Sequence, residues 1–208
     1  MQLAYITLLF FGFLAAVVGV SLPGLLNMNA VKIANEDSYQ SAYRYVLGAL
    51  VVIFIQTYIA IFFAKLIDSS AAITAALHEI GLVIFGGLTI YFLGFAKKRE
   101  HKKENRSKLR QVPFFYGALL AAINVFPIPY YVFLSVTIAS YHYPIFVRSY
   151  TAVFSLGVVS GSALMFFLYV FFFKKISRED AFLLHNINYV IGTITGIISL
   201  ITVYKLVI

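Results

Sequence analysis

The chain of 208 residues is 62% hydrophobic and 12% charged, with a mean hydropathy of +0.91. A soluble domain of this length carries far more surface charge, so the composition excludes an ordinary soluble protein. The absence of cysteine excludes a disulfide framework and a thiolate metal site. The formal net charge of +8 has to be interpreted by its placement along the chain.

Six apolar stretches are long enough to cross a bilayer as helices, since about 20 apolar residues span its roughly 30 Å hydrocarbon core. They lie at 3–26, 45–67, 80–96, 114–138, 145–173 and 187–207. The first lacks the pattern of a cleavable signal peptide, so we expect it to be retained as a helix. Because lipid cannot satisfy exposed backbone groups, helices are the expected elements. We predict an all-α membrane protein with one transmembrane domain over 1–208.

Lysine and arginine concentrate in the first, third and fifth connections, at 27–44, 97–113 and 174–186. Such residues favour the cytoplasmic side of a membrane. We therefore expect these connections in the cytoplasm and both termini outside. The basic segment 97–113 also fits an anionic-lipid or nucleic-acid patch. Since its role as a topology signal explains it, we expect no nucleic-acid partner.

The basic linker 97–113 divides the chain into repeat one at 1–96 and repeat two at 114–208, with three spans in each. Halves with three spans insert into the membrane in opposite directions. This arrangement is typical of secondary transporters built from inverted repeats, which bind their solute between the two halves. The sequence therefore predicts two inverted three-helix repeats.

Prolines interrupt the first span of each half. Pro23 follows Gly12 by eleven residues in GFLAAVVGVSLPGLLN, and Pro127 follows Gly117 by ten in GALLAAINVFPIPYY. Pro129 adds a second interruption in the later segment. A proline inside a helix removes a backbone hydrogen bond and breaks or kinks the helix. Paired interruptions in corresponding places of two halves indicate a transport site.

Two amides lie deep in apolar sequence: Gln56 in the second span and Asn124 three residues before Pro127. An amide in hydrocarbon is costly unless it is paired. Each can bond to a neighbouring helix, which contributes about 0.6–2 kcal/mol, or line a cavity for a solute. Tyr131 can close such a cavity or belong to an interfacial aromatic belt. Asn27 completes a face of small residues on the first span.

The sequence lacks the motifs expected of an intramembrane protease or of a metal-binding protein. Ser160 lies in GVVSG, which has the wrong spacing for the Gly-x-Ser-Gly turn of a rhomboid-like protease, so we expect no enzyme. The spans contain no cluster of His, Asp or Glu for a metal ion, and we expect no cofactor. His78 and Glu79 precede the third span and fit either a proton relay or an exposed pair at the membrane interface.

The segment SLPGLLNMNA from Ser21, followed by a polar connection and YVLGALVVIFIQTYIA, is similar to the start of the lysine exporter (LysE/RhtB) family of bacterial amino-acid exporters. IFGGLTIYFLGFAKK resembles the third helix of that family, and GALLAAINVFPIPYY occupies the place of its Asn-Pro motif. The resemblance extends over the whole chain. It implies an exporter of the bacterial inner membrane that works by alternating access.

Three positions depart from the family pattern. Leu25 replaces the second proline of a Pro-Gly-Pro motif, Gln56 stands where an acidic residue is common, and Ile128 replaces a lysine after the Asn-Pro motif. Members that export lysine or arginine carry aspartates in the membrane, which the matching positions lack here. The departures favour a neutral amino acid or a related small metabolite over a cationic substrate.

The predicted function is export of such a solute across the inner membrane, with the lipid bilayer as surroundings and a homo-oligomer compatible with the sequence. An ion or metal exporter of related fold and a non-transporting membrane subunit are the alternatives. The predicted substrate-binding residues lie at the two interruptions and on the second span: Pro23, Gly24, Asn27, Gln56, Asn124, Pro127, Pro129 and Tyr131.

Overall fold

The computed structural model describes residues 2–21, 24–69 and 112–172, together with the single positions 86, 87, 89, 90, 93, 94, 193, 196 and 200. Three continuous ranges hold six α-helices, and no strand occurs among the described residues. The helices are α1 (Gln2–Val20), α2 (Leu25–Glu36), α3 (Tyr39–Asp68), α4 (Pro113–Ile123), α5 (Pro127–Ser140) and α6 (Arg148–Phe172). The predicted all-helical class is confirmed for this part of the chain.

Several predictions concern residues that the structure does not describe. These residues are Pro23, His78, Glu79, nearly all of the basic linker 97–113, and most of the predicted spans 80–96 and 187–207. Six spans and their orientation in the membrane therefore stay predictions.

In the part of the chain that the structure describes, three helices are long and apolar enough to cross a membrane: α1 with 19 residues, α3 with 30 and α6 with 25. Helices α4 and α5 form a fourth candidate, which is bent by 63° at the break between them. The exposed faces are apolar; on α1, Ile6 is 65% and Val18 66% exposed. An exposed face of this kind fits contact with lipid.

The chain forms two compact units. The first consists of Met1–Lys65 with Glu104–Ile176, and the second of Leu66–Lys103 with Ser177–Ile208. Within the second unit, a methyl group added to Gly196 would lie 3.4 Å from Cγ2 of Thr89. The third and sixth predicted spans therefore approach each other there, while all six described helices belong wholly or largely to the first unit.

Helix α2 corrects the prediction of a polar connection at 27–44. Residues 25–36 form a helix, and α3 already begins at Tyr39. Although α2 is polar in composition, most of its side chains are buried, including Asn27 and Asn29. The side-chain amide of Asn29 donates to the carbonyl of Leu25 at 2.8 Å, and the Tyr116 hydroxyl donates to its oxygen at 3.4 Å. Tertiary burial makes this segment helical where its composition indicates a loop.

Helices α1 and α6 run parallel and in close contact. Tyr5 near the start of α1 stacks on Tyr150 near the start of α6, with ring centroids 4.2 Å apart. Further along, a methyl group added to Gly12 would overlap the carbonyl oxygen of Phe154, and one added to Gly157 would overlap that of Leu9. Glycine at these positions lets the two backbones touch, as in small-residue packing of membrane helices.

Helices α3 and α4 form a second parallel pair with the same kind of contact. A methyl group added to Gly117 would overlap the carbonyl oxygen of Tyr45, and one added to Gly48 would overlap that of Phe114. The rings of Tyr45 and Tyr116 meet at 5.7 Å on the same side of the contact. Both pairs thus bring a glycine of each helix against a carbonyl of the other.

Candidate solute site at two helix breaks

The break between α4 and α5 follows from the missing N–H group of Pro127. In a continuous helix this nitrogen would donate to the carbonyl of Ile123. Instead, the Val125 N–H donates to Ile123 at 3.0 Å, and the Ile128 N–H donates to Val125 at 3.1 Å. The carbonyl of Asn124 is therefore left without its helical donor, and that of Ala121 keeps only the N–H of Asn124, at 3.1 Å.

Gln56 of α3 supplies the missing donor. Its side-chain nitrogen donates to the carbonyl of Ala121 at 2.9 Å and to that of Asn124 at 3.0 Å. Gln56 is only 5% exposed, so these bonds form where water does not compete. The structure brings Gln56 to Asn124 through the backbone carbonyl of Asn124 and not through its side-chain amide.

The break between α1 and α2 is held by two other side chains. The amide nitrogen of Asn27, which is 3% exposed, donates to the carbonyl of Val20 at 2.8 Å, at the end of α1. The hydroxyl of Tyr169 on α6 donates to the carbonyl of Ser21 at 2.6 Å. The last carbonyls of a helix need such partners when they are buried. Gly24, in extended conformation, then begins α2 as its N-cap.

Tyr130 and Tyr131 connect the second break to the first helix pair. The Tyr130 hydroxyl donates to the carbonyl of Ala15 at 2.9 Å, and its ring would lie 3.1 Å from a methyl group added to Gly19. The buried ring of Tyr131 meets that of Phe154 edge-on at 6.5 Å. Since Gly19 lies two residues before Ser21, Tyr130 extends from one break almost to the other.

Four buried polar atoms have no hydrogen-bond partner among the described residues: Oε1 of Gln56 and Oγ of Ser135, Ser155 and Ser162. Ser155 and Ser162 are seven residues apart on α6 and share one face. Ser155 directly follows Phe154, and Ser135 lies one turn beyond Tyr131. The rings of Phe154 and Tyr131 are in contact. Buried polar groups without partners are rare, and each indicates a bound water, a solute or a functional role.

The predicted residues divide between the two breaks. Gly24 and Asn27 lie at the first, while Pro127 begins α5 at the second. Pro129, the third residue of α5, is exposed, and no hydrogen bond connects it to Gln56. The sequence analysis did not identify Tyr169. A single tyrosine in the run FFLYVFFF could bind a backbone carbonyl or lie in an interfacial aromatic belt, and no local pattern distinguishes the two.

The chemistry at the breaks is that of carbonyl oxygens, amides and hydroxyl groups. The described residues contain no group of three or more His, Asp or Glu side chains arranged for a metal ion. Carbonyl oxygens accept hydrogen bonds, whereas amides and hydroxyl groups both donate and accept them.

Comparisons of the chain with family models, with characterised proteins and with solved structures gave no match. The resemblance to the lysine exporter family therefore rests on the sequence motifs alone.

Proposed function

We propose that this protein is a secondary transporter of the bacterial inner membrane that exports neutral amino acids or related small metabolites by alternating access. The observation that carries the proposal is the pair of interrupted helices. At each interruption, buried side chains from neighbouring helices bind carbonyls that the helix has released. Irregular backbone is tolerated in a membrane where protein covers it or where it lines a cavity, and transporters bind solutes there.

The spacing of the glycine contacts supports the proposed inverted repeats. The contact of Gly12 with Phe154 corresponds to that of Gly117 with Tyr45. From Gly12 to Gly117 is 105 residues, and from Tyr45 to Phe154 is 109.

The reciprocal contacts keep the same intervals. The contact of Gly157 with Leu9 corresponds to that of Gly48 with Phe114. From Gly48 to Gly157 there are again 109 residues, and from Leu9 to Phe114 again 105. The same two offsets therefore relate both members of each helix pair. In this proposal the first span corresponds to the fourth and the second to the fifth, which is the relation expected for inverted repeats.

The polar atoms without partners support a solute site between the breaks. A zwitterionic amino acid needs acceptors for its ammonium group and donors for its carboxylate. Oε1 of Gln56 is an available acceptor, and the buried hydroxyls of Ser135, Ser155 and Ser162 can act as either. In the conformation described here Gln56 is shielded, which corresponds to an occluded state in an alternating-access cycle.

Counterflow in proteoliposomes tests the proposal. The full chain is reconstituted with an excess of one unlabelled neutral amino acid inside, and uptake of the labelled compound is followed for a panel of solutes. We expect uptake of at least one neutral amino acid well above that of empty liposomes, and no comparable uptake of lysine. If no solute of the panel moves faster than in empty liposomes, the transporter proposal is wrong.

Two variants probe the proposed solute site, and one of them leaves the hydrogen bonds of the break intact. Asn124→Ala keeps the backbone carbonyl that Gln56 binds and removes only the side-chain amide, so a loss of uptake in this variant reports on the solute. Gln56→Met removes the acceptor Oε1 together with the donor that holds the break, so its uptake, which we expect to fall about tenfold per lost hydrogen bond to the solute, is compared with its unfolding temperature. Ile55→Met, on the exposed face next to Gln56, is the matched control and should transport normally.

A further inference from the structure

Two adjoining depressions lie along the outer face of α3, and together they are called the α3 groove. Its apolar part, of about 420 Å³, is lined by five side chains that recur with helical spacing: Phe54, Ile55, Tyr58, Ile59 and Phe62. Tyr58 and Phe62 also line a second depression of about 220 Å³, at the C-terminal end of α3. The two depressions therefore adjoin at these side chains.

The second depression of this groove carries two positive charges. Lys65 of α3 and Arg148 at the start of α6 both line the second depression, together with Phe146. Both cations are exposed, and neither forms a salt bridge among the described residues. Asp68 follows Lys65 by three residues but does not pair with it, so the described residues at this end of the groove carry an excess of positive charge.

The length of the groove matches one leaflet of a bilayer. Phe54 lies at the middle of α3, and Lys65 is eleven residues further along, about 16 Å at 1.5 Å per residue. Half of a hydrocarbon core is about 15 Å. When α3 spans the membrane, the apolar part of the groove lies among the acyl chains and the two cations lie at the level of the lipid phosphates.

We propose that this groove is a binding site for one anionic phospholipid, with an acyl chain along Phe54–Phe62 and the headgroup phosphate at Lys65 and Arg148. Charge complementarity selects the occupant. An apolar channel alone would accept any lipid chain, whereas two unpaired cations at phosphate level favour a headgroup with net negative charge. The inference uses only the outer face of α3 and does not depend on the proposed transport activity.

Native mass spectrometry of the full chain in mild detergent tests the site, with dioleoyl phosphatidylglycerol and dioleoyl phosphatidylcholine as probes. We expect one phosphatidylglycerol per chain to be retained in preference to phosphatidylcholine. The double variant Lys65→Gln with Arg148→Gln should weaken phosphatidylglycerol binding about thirtyfold, with about fivefold from each cation. Arg44→Gln, an exposed cation at the opposite end of α3, is the control and should leave binding unchanged.

Each other outcome overturns the proposal. Equal retention of the two lipids would show that the cations do not select a headgroup. Binding of glycerol 3-phosphate as tight as that of the lipid would show that the apolar groove takes no part. A second copy of the chain displaced by the double substitution would show that the groove is a protein interface. Circular dichroism of the variants establishes that each retains its helical content.

Discussion

The two helix breaks share their steric framework but not their polar ligands. In the helix that precedes each break, glycines meet the carbonyl oxygens of a parallel partner helix. At the second break one side chain, Gln56, binds two carbonyls, whereas at the first Asn27 and Tyr169 each bind one. Only glycine allows the backbones to touch, while any buried donor of suitable length can satisfy a carbonyl. The steric requirement is therefore more strictly repeated than the polar one.

The largest effect is expected from the shared steric framework. Gly12→Ala and Gly117→Ala each force a methyl group into a carbonyl oxygen, Phe154 in the first case and Tyr45 in the second. Overpacking of this kind costs about 1–3 kcal/mol, and we expect both variants at the upper end because backbone has to move. Thermal unfolding in detergent, followed by circular dichroism, measures the loss.

Gly86→Ala is the matched control for these two variants. A methyl group there meets no atom within 4 Å, and alanine is a better helix former by about 1 kcal/mol. We expect its unfolding temperature to be unchanged or higher. Similar losses for Gly12→Ala and Gly117→Ala would strengthen the correspondence between the breaks, and a neutral result for one of them would contradict it.

A smaller effect is expected at the second break alone. Gln56→Leu leaves the carbonyls of Ala121 and Asn124 buried without their side-chain donor. The loss should be about 2 kcal/mol, since unsatisfied buried groups cost roughly 1–3 kcal/mol. Thr57→Val is the control, because the Thr57 hydroxyl bonds only to Ile53 within its own helix. Equal losses in the two variants would show that Gln56 does not stabilise the break.

The smallest effect is expected at the first break. Tyr169→Phe removes the hydrogen bond to Ser21 and the contact of the hydroxyl with the Asn27 side chain, and leaves the bond of Asn27 to Val20 in place. We expect a loss of about 1 kcal/mol. Tyr58→Phe removes a longer bond of 3.4 Å to Arg148 near the groove end and should have little effect. If Tyr169→Phe lowers the stability more than Gln56→Leu does, the conclusion that Gln56 stabilises its break more than Tyr169 stabilises the first is wrong.

The sequence predicts those parts of the fold that depend on local chemistry. The fifth predicted span, 145–173, corresponds to α6 at Arg148–Phe172. An apolar run of this length is typical of a helix that crosses a membrane. The break before Pro127 was predicted because proline lacks the N–H that a helix needs. The proposed correspondence of Gly12 with Gly117 rests on a short local match of the same kind.

Other features depend on contacts between distant residues and could not be predicted. Tyr169 reaches Ser21 across 148 residues, and no local pattern encodes that pairing. The sequence predicts a polar connection where α2 forms, because residues such as Asn27 and Asn29 favour caps and turns in isolation. Burial against the rest of the first unit reverses this preference, and burial is not visible in one sequence.

Cysteine labelling tests the central claim, that the two breaks face a path for a water-soluble solute, most directly. The chain contains no cysteine, so a single introduced thiol reports without background. Ser21→Cys and Asn124→Cys place a thiol at each break, and Leu156→Cys places one on the apolar exposed face of α6. In proteoliposomes we expect a membrane-impermeant thiol reagent to label both break positions much faster than Leu156→Cys, and a transported solute to slow that labelling. Labelling of both break positions no faster than Leu156→Cys would contradict the account.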